Sequence, residues 1–143
     1  MKSRQQGFTL VELVVVIVIL GILAATAIPR YASYTTESRI AALNGLAGSV
    51  RSAVAVVQGR YIAVGAGTSP VTMLDGTTVA VSTGAAGGIP TAATGGVDNA
   101  VNTGGTFTYV PASTRFDFAT AVANCFVSYT AATGVATVTS GGC

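Results

Sequence analysis

Histidine and tryptophan are absent from this 143-residue chain, cysteine occurs twice, and only 8% of the residues are charged. Each shortage removes a class of chemistry. Without histidine there is no Ser-His-Asp or Cys-His nucleophile system, and two cysteines alone do not build a zinc site. Asp75, Asp98 and Asp117 are too scattered for a calcium loop, and no glycine loop carries the Lys-Ser/Thr signature that cradles phosphate. The expectation is a protein that is not an enzyme, with no catalytic residue, no metal and no cofactor. A formal net charge of +2 argues against specific nucleic-acid contact. An ordinary globular domain carries roughly 25% charged residues. So few suit a membrane protein, or a subunit whose surface is covered mostly by copies of itself.

What is present is concentrated at the N-terminus. Residues 1–7, MKSRQQG, are polar and hold Lys2 and Arg4, which leaves five basic and five acidic residues in the remainder. From Phe8 to Ile28 the only charge is Glu12. A helix of that length spans ~30 Å, one bilayer core. Pro29 then weakens the helix and Arg30 is placed to reach the membrane surface. A secretory signal cut near Ala25-Thr26-Ala27 is one reading, although its apolar core is long and starts with an acid. A plain single-pass anchor is another, but a carboxylate in lipid costs roughly 2.5–3.5 kcal/mol. Cleavage after Gly7 gives Glu12 a purpose: the new amine on Phe8 would lie one helical turn away. Glu12 could neutralise that amine in its own chain, or in a neighbouring copy and so set axial register.

Beyond residue 30 the pattern becomes amphipathic. Ile40, Leu43, Ala47, Val50, Val54 and Val57 recur at helical spacing and form one apolar stripe, with Gly59 as the expected stop. Gly45 and Gly48 imply either close packing with another backbone or tolerated looseness. Residues 60–106 read as a decorated loop holding one hairpin, VTMLDGTTVAV, with Asp75-Gly76 as a primed two-residue turn. The tract from Gly84 to Gly105 is expected to be irregular. After it, TFTYV, RFDFA, CFVSYT and VATVT are strand-like runs, with Phe107, Tyr109, Phe116, Phe118 and Phe126 expected on one sheet face. The fold class is therefore α+β: a long N-terminal α-helix packed on a C-terminal antiparallel β-sheet. Cys125 and Cys143, in a chain with a membrane-directed N-terminus, are expected to form one disulfide rather than two free thiols.

The segment QQGFTLVELVVVIVILGILAATAIPRYASY resembles the leader and N-terminal helix of class a type IV pilins. Three shorter stretches, VVVIVILGILAATAIPR, LNGLAGSVRSAVAVVQGR and CFVSYT with its later Cys, are most similar to mannose-sensitive haemagglutinin pilins. The resemblance implies a division into a prepilin leader (1–7), a transmembrane and filament-core half-helix (8–30), an amphipathic half-helix (31–59) and a globular β domain (60–143). It implies cleavage between Gly7 and Phe8 by a membrane prepilin peptidase, N-methylation of Phe8, and assembly through Glu12. It further implies loss of helical structure between Gly21 and Pro29 in the filament, and an outward-facing region bounded by Cys125 and Cys143. The implied partners are identical subunits in a helical filament, the peptidase, and an inner-membrane platform driven by an ATPase. The implied location is the inner membrane first and an extracellular pilus afterwards, serving attachment, adhesion or motility. A type II secretion pseudopilin is the alternative; such subunits often hold their last loop with calcium instead of a disulfide.

Overall fold

The computed structural model of the chain describes residues 7–84 and 87–143, without the side chains of 29–33. Two compact units meet between Glu37 and Ser38. Helix α1 runs Leu10–Ala63 and contributes to both. It does not stop at Gly59: Tyr61 still packs inward, and its burial extends the helix by a further turn.

In the second unit the stripe is buried as its spacing requires. Leu43, Leu46, Ala47, Val50, Val54, Val57 and Tyr61 are inside, while Ile40 is half-buried. Burying each Val or Leu is worth about 1.5–3 kcal/mol, so this face holds the unit together. Four antiparallel strands follow in sequence order: β3 (Phe107–Val110), β4 (Arg115–Phe118), β5 (Phe126–Thr130) and β6 (Val135–Thr139). Before them, β1 (Val71–Thr72) and β2 (Thr78–Val79) form a separate hairpin, and α2 (Val97–Ala100) is one short turn.

Register decides which aromatics face the core. Phe107 pairs with Phe118 and Tyr109 with Phe116, each with ring centroids 4.7 Å apart. Phe116 then pairs with Val127, and Tyr129 with Ala136, so the inner face continues through these buried residues. Phe126 pairs with Asp117 and thus lies on the opposite face, contrary to the expectation from its β-rich run. There the Arg115 guanidinium lies 4.7 Å over its ring while Arg115 Nε donates to Asp117 Oδ2 at 3.0 Å. A single-residue offset between strands flips every side chain, and composition does not report it.

One further expectation is corrected, and one holds with an added detail. The hairpin loop has three residues, not two: Met73 N–H donates to Thr77 O and Gly76 N–H to Met73 O, with Gly76 at φ 85°. Glycine takes this left-handed conformation without penalty, and the extra residue leaves Leu74 at the apex. The Gly84–Gly105 tract is mostly without regular structure, yet it supplies Ile89, Pro90, Val97 and Val101 to the core. Tyr129 Oη donates to Pro90 O at 2.7 Å and Tyr109 Oη to Ala92 O at 2.8 Å, pinning the tract to the sheet.

The corner after β5 approaches the helix closely. A Cβ on Gly134 would lie 2.8 Å from Val54 Cγ1, and its φ is 70°. Three arginines of α1 tie the helix to the rest of the unit through main-chain carbonyls. Arg39 Nη1 donates to Cys143 O at 3.2 Å, Arg51 Nη2 to Ala136 O at 2.7 Å, and Arg60 Nε to Thr72 O at 3.1 Å. The Arg51 bond satisfies a carbonyl on β6, the last strand of the sheet, where pairing groups are otherwise left open.

Candidate functional site

The start of α1 is built from four consecutive residues. Gly7 and Phe8 are exposed and outside any regular element, and Thr9 precedes the first helical residue, Leu10. Thr9 Oγ1 accepts from Glu12 N–H at 3.2 Å. In return, Glu12 Oε2 accepts from Thr9 N–H at 2.9 Å and from Thr9 Oγ1–H at 2.8 Å. This is a capping box, with Thr9 as the cap and Glu12 three residues inside. It satisfies N–H groups that a helix leaves open at its first turn, and it puts the carboxylate where the helix dipole favours negative charge.

Thr9 was not singled out from the sequence, although the signal lies in plain view. Thr9-Leu10-Val11-Glu12 is the T-x-x-E pattern ahead of an apolar run. The acid therefore has a partner within its own chain before any second copy is considered. Among the described residues Glu12 Oε1 makes no hydrogen bond.

From Leu10 to Ile28 the helix has a mean hydropathy of 2.8 and none of it is buried. Leu13, Ile17, Leu20 and Leu23 are each more than half exposed. The segment is long and apolar enough to cross a bilayer, and an apolar surface of this extent marks a membrane or protein contact. Its one hydroxyl beyond the cap, Thr26 Oγ1, donates to Leu23 O at 2.9 Å and so is satisfied inside the helix. Gly21 and Pro29 both lie within helical backbone in the single chain. The leader residues 1–6 lie outside the described residues.

Residues 2–28 match the prokaryotic N-terminal methylation motif. The match covers Gly7, Phe8, Glu12 and the whole apolar run. The type IV major fimbrial protein FimA of Dichelobacter nodosus is 48% identical over 54 residues, covering 38% of this chain and 35% of that protein. The type IV narrow pilus major component PilA5 of Thermus thermophilus is 49% identical over 53 residues, covering 37% of this chain and 46% of that one. The type IV major pilin protein PilE1 of Neisseria gonorrhoeae is 48% identical over 54 residues, covering 38% and 33%. The chain thus spans between a third and a half of the length of these relatives. No solved structure matches the chain significantly.

Away from the methylation motif, Cys125 and Cys143 are joined, with Cα atoms 5.0 Å apart and Cys125 fully buried. The bond closes a loop of the length for which chain entropy gives ~3 kcal/mol. Among the described residues no group of His, Cys, Asp or Glu is placed to hold a metal ion. Gly45 and Gly48 are exposed, and a Cβ on either would meet nothing within 4 Å, so no packing among the described residues accounts for them.

Proposed function

We propose that this chain is the structural major subunit of an extracellular type IVa pilus. The observation that carries the reading is an uncovered apolar helix whose single acid is held in its first turn, starting two residues after Phe8. In this reading the prepilin peptidase cuts between Gly7 and Phe8 and methylates Phe8. The subunit then waits in the inner membrane through its apolar half-helix. The ATPase-driven platform moves it into a filament whose core is the bundled N-terminal helices, with melting between Gly21 and Pro29 on packing. In the filament, Glu12 keeps its cap with one oxygen and meets the Phe8 amine of a neighbour with the other. That buried pair sets register more than it adds stability. The region closed by Cys125–Cys143 faces outward and serves attachment or motility, and the narrower likeness is to mannose-sensitive haemagglutinin pilins. The disulfide and the pilus names of the relatives favour a pilin over a secretion pseudopilin.

Intact mass and N-terminal sequencing of the cellular protein test this reading. The expected species begins at Phe8 and carries one extra methyl group, and sheared surface filaments contain it. A mature chain starting at Ile28 would instead establish a cleaved secretory signal.

A further inference from the structure

The four-stranded sheet ends in two edges that are not equivalent. β6 lies beside α1: Arg51 Nη2 donates to Ala136 O at 2.7 Å, and the Gly134 corner that opens β6 packs against Val54. A strand arriving at that edge would have to displace the arginine. β3 has no such cover. Ala119 N–H donates to Thr106 O at 3.0 Å, which with the Thr108–Asp117 and Val110–Arg115 pairs turns the main-chain groups of Thr106, Thr108 and Val110 towards β4. Alternation then turns N–H and C=O of both Phe107 and Tyr109 outward, and none of these groups has a hydrogen-bond partner among the described residues.

Open strand edges are normally guarded by a charge, a proline or a bulge, because they invite another strand. Phe107–Val110 has none of these. It carries no charge, its pairing with β4 is continuous, and Pro111 comes only after the strand has ended.

We propose that β3 pairs with β3 of a second copy of this chain, antiparallel about a two-fold axis at Thr108. Phe107 N–H then donates to Tyr109 O of the second copy, and Phe107 O accepts from its Tyr109 N–H. The two-fold repeats both bonds, so every open group of the edge is used. Thr108 meets Thr108 on the outer face, with Cα atoms about 4.5 Å apart, and threonines facing each other across strands are favourable. On the inner face Phe107 of each copy lies beside Tyr109 of the other, which carries the Phe107–Phe118 and Tyr109–Phe116 ring contacts across the seam. The occupant is a second copy because the edge complements itself, leaving no donor or acceptor over. Arg51 on Ala136 O opposes the alternative in which β3 of one copy adds to β6 of the next. The contact is isologous and closes at two copies. It goes beyond the pilus reading, since a two-fold contact joins copies that do not follow one another along a polar filament.

The test uses the full chain in detergent micelles carrying Thr108→Cys, mildly oxidised and run without reductant. The expected result is a covalent dimer and nothing larger, while Thr137→Cys, also exposed and on the outer face of β6, gives roughly tenfold less under the same conditions. Separately, Thr108→Lys should lower the dimer fraction seen by light scattering roughly tenfold with an unchanged melting temperature, and Thr108→Val should keep it. Thr108→Cys that cross-links no better than Thr137→Cys, or Thr108→Lys dimers as abundant as those of the unaltered chain, overturn the contact. Thr108→Cys that cross-links only to a different protein when cell extract is added overturns it too. Each of these results leaves the pilus reading intact, since that reading is decided by the Phe8 terminus, its methyl group and the sheared filaments.

Discussion

The two halves of α1 are both apolar helix, yet they differ in what covers them. Leu10–Ile28 has a mean hydropathy of 2.8 with none of its surface buried, whereas the Tyr34–Ala63 stretch has 1.5 and is one-third buried. In the second half, polar residues occupy the faces away from the stripe and the chain folds its own sheet onto the apolar side. In the first half there is no polar face at all, and none of it is buried among the described residues. A helix apolar on every side needs lipid or other helices. The comparison teaches that one continuous helix can be completed by its own domain along one half and left bare along the other, where only an apolar environment would complete it.

Glu12 is where this contrast breaks most completely. Glu12→Val should insert more readily, since an intramembrane charge is gone, and cleavage after Gly7 should persist. On the proposed reading, polymerisation should fail, seen as abundant membrane-fraction protein without sheared filaments. Normal filaments from this variant would make the carboxylate incidental. Glu12→Gln should fail as well, because an amide hydrogen-bonds but does not offset an amine's charge.

Matched truncations sharpen the comparison next. Leu43→Ala removes a fully buried side chain and should cost about 2–5 kcal/mol, seen as a lowered melting temperature of the detergent-solubilised chain. Leu20→Ala, 57% exposed in the first half, should leave that melting unchanged. Equal effects would mean the halves are not energetically distinct.

Alkaline pH should act on the second unit. Burial pushes the Tyr129 hydroxyl up to about 12, with Tyr109 nearby adding to the shift. The unfolded chain releases this proton near 10.0, the ordinary value, so between the two pH values the folded state holds more protons. Stability is therefore intact below pH 10 and falls as pH rises towards 12. Tyr129→Phe should flatten this part of the pH–stability curve, at the expense of the bond to Pro90 O. A curve with the same alkaline slope in both proteins would refute the assignment.

The smallest effect belongs to the cap. Thr9→Ala should remove about 0.5–2 kcal/mol from the first turn and speed amide exchange there, while Thr9→Ser should keep the protection. Unchanged exchange in Thr9→Ala would show that Glu12 does not depend on Thr9.

Much of this could be read without coordinates because it depends on neighbours a few residues apart. The stripe from Leu43 to Val57 follows from a 3.6-residue period, and the four strands follow from β-branched and aromatic runs between turns. The capping box is equally local, since Thr9 and Glu12 are three residues apart. The face of Phe126, the three-residue loop that exposes Leu74, and the entry of Ile89 and Val97 into the core were not legible. Each depends on which segments meet across long stretches of chain.

The sequence by itself determined the helix, its change from all-apolar to amphipathic, the strand-forming runs, and the motif from Gly7 to Glu12. These are set by local backbone preference and by the periodicity of burial. Only the tertiary structure decided the strand register and the arginine ties to Cys143, Ala136 and Thr72. Such features arise from packing residues far apart in sequence, where the gain from burial and hydrogen bonding must outweigh chain entropy over the whole fold at once.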